Sequence, residues 1–230
     1  MIEINKLTKT YAGRTVVNIE QLSVGNGETI GVVGNNGAGK TTLFRMLLDL
    51  IRPDTGEILS KGLNIAGKDQ WKEYTASYLD EGFLIDYLTP EEYFIFIGSL
   101  HGMDGKEVSD YLRDYDEFFN GEILNSGKYI RDFSKGNQNK VGIVAALMQR
   151  PELLILDEPF ANLDPTTQIR LKAHLKSLKS TSLTTLISSH DLNHVTDVCD
   201  RIILFEKGSI IKDIYTNENT LEELEAYFAQ

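Results

Sequence analysis

The sequence predicts an α/β protein whose mainly parallel sheet carries helices on both faces, with a β-rich N-terminal part and an inserted helical part. Three observations carry that prediction. Beyond Pro151, apolar and helical runs alternate: strand 153–157, helix 165–179, strand 183–188, helix 191–199, strand 201–206. Strands separated by helices imply parallel pairing, because each crossover must return to the same sheet edge. Residues 1–33 instead read as successive short strands, and residues 90 to about 150 read as mainly helical, acidic between Asp104 and Glu122.

In chain order, Ile2 and Ile4 alternate with polar neighbours, Val16-Val17 and Leu22–Val24 follow, and Glu28–Val33 is a buried run. A helix starts at Lys40, sets Leu43, Leu47, Leu50 and Ile51 on one face, and stops at Pro53-Asp-Thr-Gly56. Glu57–Gly62 reads as a further strand and turn. Thr89-Pro-Glu-Glu92 combines an N-cap threonine, proline at the first helical position and glutamate at the third, so a helix begins there. In the aromatic stripe that follows, most of Tyr93, Phe94, Phe96 and Ile97 should point inward, leaving one or two for docking. Leu221–Phe228 reads as a short acidic amphipathic helix that packs on its own domain, with a dimer contact as the alternative.

At 230 residues the chain can bury a core without covalent staples. The single cysteine, Cys199, excludes an intrachain disulfide, and its apolar setting marks it as a small buried hydrophobe. A net charge of −11 argues against nucleic acid as a partner, which would call for a clustered basic surface. The first residues show no basic segment followed by an apolar one, and no run approaches the roughly 18 apolar residues of a bilayer span. The expectation is a cytoplasmic protein that reaches a membrane only through a partner.

The strongest chemical signal is Gly34-Asn35-Asn36-Gly37-Ala38-Gly39-Lys40-Thr41-Thr42, which satisfies G-x-x-x-x-G-K-[ST] between a buried strand and an amphipathic helix. That context is what a phosphate-binding loop requires. Backbone N–H groups and the helix N-terminus surround phosphate, Lys40 reaches the terminal oxygens, and Thr41 offers its hydroxyl to Mg²⁺. Leu153–Asp157 is an apolar strand ending in Asp157-Glu158, at the strand end that faces a ligand crevice. Asp157 is then placed for Mg²⁺ and Glu158 to orient and deprotonate a water.

His190-Asp-Leu-Asn-His194 places two histidines at i and i+4 but lacks the glutamate of a zinc-hydrolase helix and a third ligand. His190 follows a strand and should reach the same sheet edge as a γ-phosphate contact; helix capping is its other reading. Ser134-Lys135-Gly136-Asn137-Gln138-Asn139-Lys140, directly before the apolar run Val141–Met148, offers a hydroxyl, close backbone approach and a helix N-terminus. It is either a second phosphate-facing element or a plain serine cap. With only one phosphate-binding loop in the chain, the former is either redundant or serves a nucleotide held by another chain, and the latter implies a dimer.

Taken in order, these motifs resemble the nucleotide-binding subunit of an ATP-binding cassette (ABC) transporter over residues 1 to about 215. The resemblance implies a P-loop NTPase core with a mainly parallel sheet, an N-terminal antiparallel β subdomain and an inserted helical subdomain. It implies one ABC-type domain, with residues of about 1–85 and 151–230 as core and about 86–150 as helical signature subdomain. It further implies ATP and Mg²⁺ as cofactors, a head-to-tail dimer with a second ABC subunit, identical or paralogous, and a separate transmembrane permease subunit on the inner face of the membrane. In such a dimer Phe133-Ser134-Lys135-Gly136-Asn137 is the signature acting in trans, Ala161–Asp164 the D-loop, His190 the switch histidine and Tyr11 the ring that stacks on adenine.

Lys135 replaces the first signature glycine and Asn137 the terminal glutamine, while Glu81 stands where the family has glutamine and is assigned a Mg²⁺ or water contact or, alternatively, a solvated loop position. The segment Tyr87–Gly102 is similar to that of export-type members. The expected function is ATP hydrolysis driving export through the separate membrane subunit; a soluble ABC-type ATPase of an assembly or regulatory complex is the alternative.

Overall fold

The computed structural model describes residues 1–79, 83–179 and 182–229. Its first sheet is antiparallel. Strands β1 (Ile2–Tyr11) and β2 (Arg14–Val24) form a long hairpin, and β4 (Thr55–Ser60) and β5 (Leu63–Asn64) extend it in the order β2-β1-β4-β5. The two short runs read at Val16-Val17 and Leu22–Val24 are one strand: Ile19 continues the alternation, and neither glycine nor proline interrupts residues 14–24.

The second sheet holds the site. Strands β3 (Thr29–Val33), β6 (Thr75–Tyr78), β7 (Leu153–Asp157), β8 (Thr184–Ser189) and β9 (Arg201–Glu206) are mutually parallel, and β10 (Ser209–Tyr215) closes one edge antiparallel to β9. Their order is β10-β9-β3-β8-β7-β6. Side chains alternate faces along each strand. Leu154 and Leu156 of β7 join one core with the helical insertion, while Leu153 and Ile155 join the other with the antiparallel sheet. That two-sided burial is why these strands read as continuous apolar runs. Strand β10 escapes the alternation because half of it is exposed; a turn at Lys207-Gly208, both with positive φ, folds it back on β9.

Helix α1 spans Lys40–Leu47, shorter than the periodicity suggested. Asp49 takes a left-handed backbone, so Ile51 falls outside the helix and Leu50 is exposed. Among the described residues, four α-helices lie between β6 and β7: α2 (Pro90–Leu100), α3 (Gly105–Arg113), α4 (Asp116–Phe119) and α5 (Lys135–Met148). Thr89 and Glu92 form the expected reciprocal capping box at α2. On α2, Tyr93 and Phe94 are buried and Ile97 partly so, but Phe96 is exposed beside Ile95. Helical spacing turns residues 90, 93, 94 and 98 inward and carries 95 and 96 to the opposite side. Helix α5 is buried all round from Asn139 to Met148, the signature of a helix enclosed on every face.

Helices α6 (Pro165–Leu178), α7 (Leu192–Val198) and α8 (Thr220–Phe228) complete the chain. The last packs on its own domain as expected: Leu224 is fully buried in the core, and Tyr227 Oη donates to Glu206 Oε2 at 2.6 Å. Among the described residues, no helix is long and apolar enough to cross a membrane. Cys199 is buried, and burial pushes its thiol up to about 12. Thiol reagents at pH 8 are therefore expected to leave the native protein unlabelled and to modify one thiol per chain in denaturant. Rapid labelling of folded protein would contradict that burial.

Candidate active site

The glycine-rich loop joins β3 to α1 and leaves a helix N-terminus open. Gly39 caps α1 with φ of 108°, and a Cβ there would stand 2.3 Å from the Val16 carbonyl oxygen. Only glycine fits that turn. The cap uses no side chain, and the first turn of α1 carries no acid. Free N–H groups and the positive end of the helix dipole thus face a cleft of about 410 Å³, lined by Val16, residues 36–42, Asp157 and Glu158. Lys40 is buried, and its Nζ donates to the Gly34 carbonyl at 2.6 Å, aiming the ammonium along the loop.

The ends of β7 and β8 supply the other wall. Asp157 is buried; its Oδ2 accepts from the Thr41 hydroxyl at 2.7 Å, and its Oδ1 accepts from the Ser188 hydroxyl. Glu158 follows with φ of 48°, a left-handed backbone uncommon for glutamate. That turn sends the two consecutive carboxylates in different directions. Glu158 Oε1 lies 3.5 Å from Lys40 Nζ, and Oε2 lies 2.9 Å from His190 Nδ1 and accepts the His190 N–H at 3.4 Å. Sequence reasoning missed Ser188, whose oxygen also accepts the Glu158 N–H at 2.9 Å. It fixes both acids at once, and a serine pair ending an apolar strand was the available signal.

His194 does not share this cluster. Its Nε2 stands 3.5 Å from Asp191 Oδ2 and its ring packs on Phe160, with burial pulling its pKa down. Tyr11 sits exposed at the end of the β1–β2 hairpin, with Lys9 over its ring at 5.4 Å. Glu81 lies outside the described residues.

Ser134 caps α5, accepting the Asn137 N–H at 3.3 Å, and both Ser134 and Lys135 are exposed. Gly136 is buried because the loop after Glu158 passes over it: a Cβ would lie 2.3 Å from the Asn162 carbonyl oxygen. Asp164 ends that loop and caps α6. Its hydrogen bonds from the Thr167 hydroxyl and N–H hold the carboxyl below the usual range. Residues 134–137 and Asp164 are absent from the lining of the chain's own cleft, whereas Lys40, Thr41, Asp157 and Glu158 converge on it.

A family model for ABC transporter proteins matches residues 17–161. The chain belongs to the ABC transporter family. It is 35% identical over 209 residues to an uncharacterised ABC transporter ATP-binding protein, YhaQ, of Bacillus subtilis, covering 90% of this chain and 69% of that protein. It is 32% identical over 213 residues to the linearmycin resistance ATP-binding protein LnrL of the same organism, covering 92% and 68%. The chain spans about two thirds of the length of the curated relatives it matches. A solved ATP-binding subunit of an ABC transporter superposes with a TM-score of 0.86 over the whole of both chains at 27% identity. The chain is accordingly an ABC transporter ATP-binding subunit, and its enzymatic class is ATPase. The antiparallel sheet, the parallel core and the helices between β6 and β7 are the layout expected of this family.

Proposed function

We propose that two such subunits close head to tail on ATP and reopen with hydrolysis, driving a separate transmembrane permease subunit in export. One observation carries the dimer: the chain builds the phosphate loop and the acids around its own cleft, with His190 joined to it through Glu158, but leaves Ser134, Lys135 and Asp164 exposed and outside it. A second subunit, identical or paralogous, would bring those residues to the open side. Within this reading the chain is a single ATP-binding domain, and residues of about 86–150 form its signature subdomain.

In the cis site, the N–H groups of residues 34–42 and the Lys40 ammonium bind the phosphates, with Tyr11 stacking on the base. Glu158 accepts a proton from the attacking water, and His190, in contact with its carboxylate, senses the terminal phosphate. The Thr41 hydroxyl and Asp157 carboxylate meet at 2.7 Å in the cleft, a hard oxygen pair suited to Mg²⁺. These two would hold the ion, with Glu81 a further candidate; bound there it supplies charge neutralisation to the phosphates. In trans, Ser134, Gly136 and Asn137 would face the partner's nucleotide, with Lys135 adding a cation where the family carries glycine.

A groove of about 300 Å³ beside the β6 end supports the membrane partner. Leu50 and Phe83 are exposed along it. A cytoplasmic segment of the permease would cover the apolar rim, placing this subunit on the inner face of the membrane. Tagging the chain, solubilising native membranes in mild detergent and purifying the Glu158→Gln variant with Mg²⁺ and ATP tests this. A stoichiometric multi-span protein is expected; recovery only from the soluble fraction would overturn the transporter role and favour an assembly ATPase.

A further inference from the structure

We propose that Asn139 is a positioning residue that locks the trans-facing surface of the subunit to its own catalytic centre. Its side chain is 1% exposed, one turn into α5 from Ser134. Oδ1 accepts the Tyr78 hydroxyl at 2.7 Å, and Nδ2 donates to the Ala161 carbonyl at 2.8 Å. One buried amide therefore ties together three segments: the last residue of β6, the first turns of α5, and the loop that starts at Glu158 and ends at Asp164. The fit around it is close. The Tyr78 ring lies on Gly142 so tightly that a Cβ there would stand 2.1 Å from Cε2, and Gly136 meets the Asn162 carbonyl as described.

Neither the amide nor the phenol touches the cleft. Their effect is geometric. Strand β6 pairs with β7 with Tyr78 opposite Leu156, one residue before Asp157, so the phenol is referenced to the catalytic strand. Through Asn139 the same reference passes to Ser134–Asn137 and to the backbone beside Asp164. A subunit that binds ATP in cis and reads a partner's ATP in trans needs those two surfaces in fixed relation. Without the amide, the Tyr78 hydroxyl and the Ala161 carbonyl each lose their hydrogen bond to α5, and the relation loosens.

This inference rests on the ATP-dependent dimer, so its test starts from the Glu158→Gln parent. Asn139→Ala in that background is expected to raise the concentration for half-dimerisation in Mg²⁺ and ATP about ten- to a hundredfold, the scale of losing two hydrogen bonds. ATP affinity of the monomer should change less than about twofold, a split that general destabilisation would not produce. Tyr78→Phe should weaken the dimer by a smaller factor, and the double variant should be no weaker than Asn139→Ala alone, because both act through one contact. If Asn139→Ala does not fold, Tyr78→Phe decides. A dimerising parent beside variants within twofold of it overturns the inference alone; a parent that stays monomeric at saturating ATP removes the dimer reading and this inference with it.

Discussion

Glu158→Gln is expected to lower ATP turnover about a hundredfold to ten-thousandfold, the range for loss of a positioned general base, while ATP still binds. The carboxylate stands at the end of β7 between Lys40 and His190, at 3.5 and 2.9 Å. Gln keeps the shape and can still accept the His190 N–H, but it cannot take a proton from water. Removing a negative charge beside the phosphates also leaves their binding unopposed at that point. Phosphate release under saturating ATP and equilibrium binding of a fluorescent ATP analogue separate the two effects. Turnover within tenfold of the parent would remove Glu158 from the role of base.

The second large effect is expected from Lys40→Met, which keeps most of the aliphatic stem and deletes the ammonium. Lys40 is buried and points along the loop from its hydrogen bond to Gly34, with α1 carrying no acid in its first turn. Charge-assisted hydrogen bonds contribute about 1.5–3 kcal/mol each, so nucleotide affinity should fall roughly ten- to a hundredfold or more. The helical and sheet signals of far-UV circular dichroism should stay unchanged, because the loop backbone is fixed by Gly39 and by its own turns. Affinity within threefold of the parent would contradict the placement of Lys40 on the phosphates.

What could be read from the sequence was what local chemistry determines. The strand–loop–helix at Gly34–Thr42, the capping box at Thr89 and the strand ending in Asp157-Glu158 all declare themselves within a few residues. Asp157 and Glu158 separate in direction because neighbouring positions point apart, and the left-handed backbone of Glu158 widens that separation. The groups that remained hidden act across long stretches of chain. Ser188 meets Asp157 from 31 residues away, and Tyr78 meets Asn139 from 61; no periodicity reports such a pair. Helix α1 was overextended because Leu50 and Ile51 fit its apolar face, while the left-handed Asp49 that ends it leaves no pattern. The aromatic stripe of α2 leaves open which of its residues faces outward, and the turn of the helix selects Phe96.

Ser134 shows how both readings of one residue can hold. In the isolated subunit it is a helix cap, accepting the Asn137 N–H at 3.3 Å, and its exposure leaves the hydroxyl free to meet a nucleotide brought by another chain. The central claim is that such a nucleotide arrives, and sedimentation velocity of the Glu158→Gln variant tests it most directly. With Mg²⁺ and ATP the protein should sediment as a dimer, and with Mg²⁺ and ADP, or without nucleotide, as a monomer. A variant that binds ATP yet stays monomeric at saturating nucleotide would contradict the account.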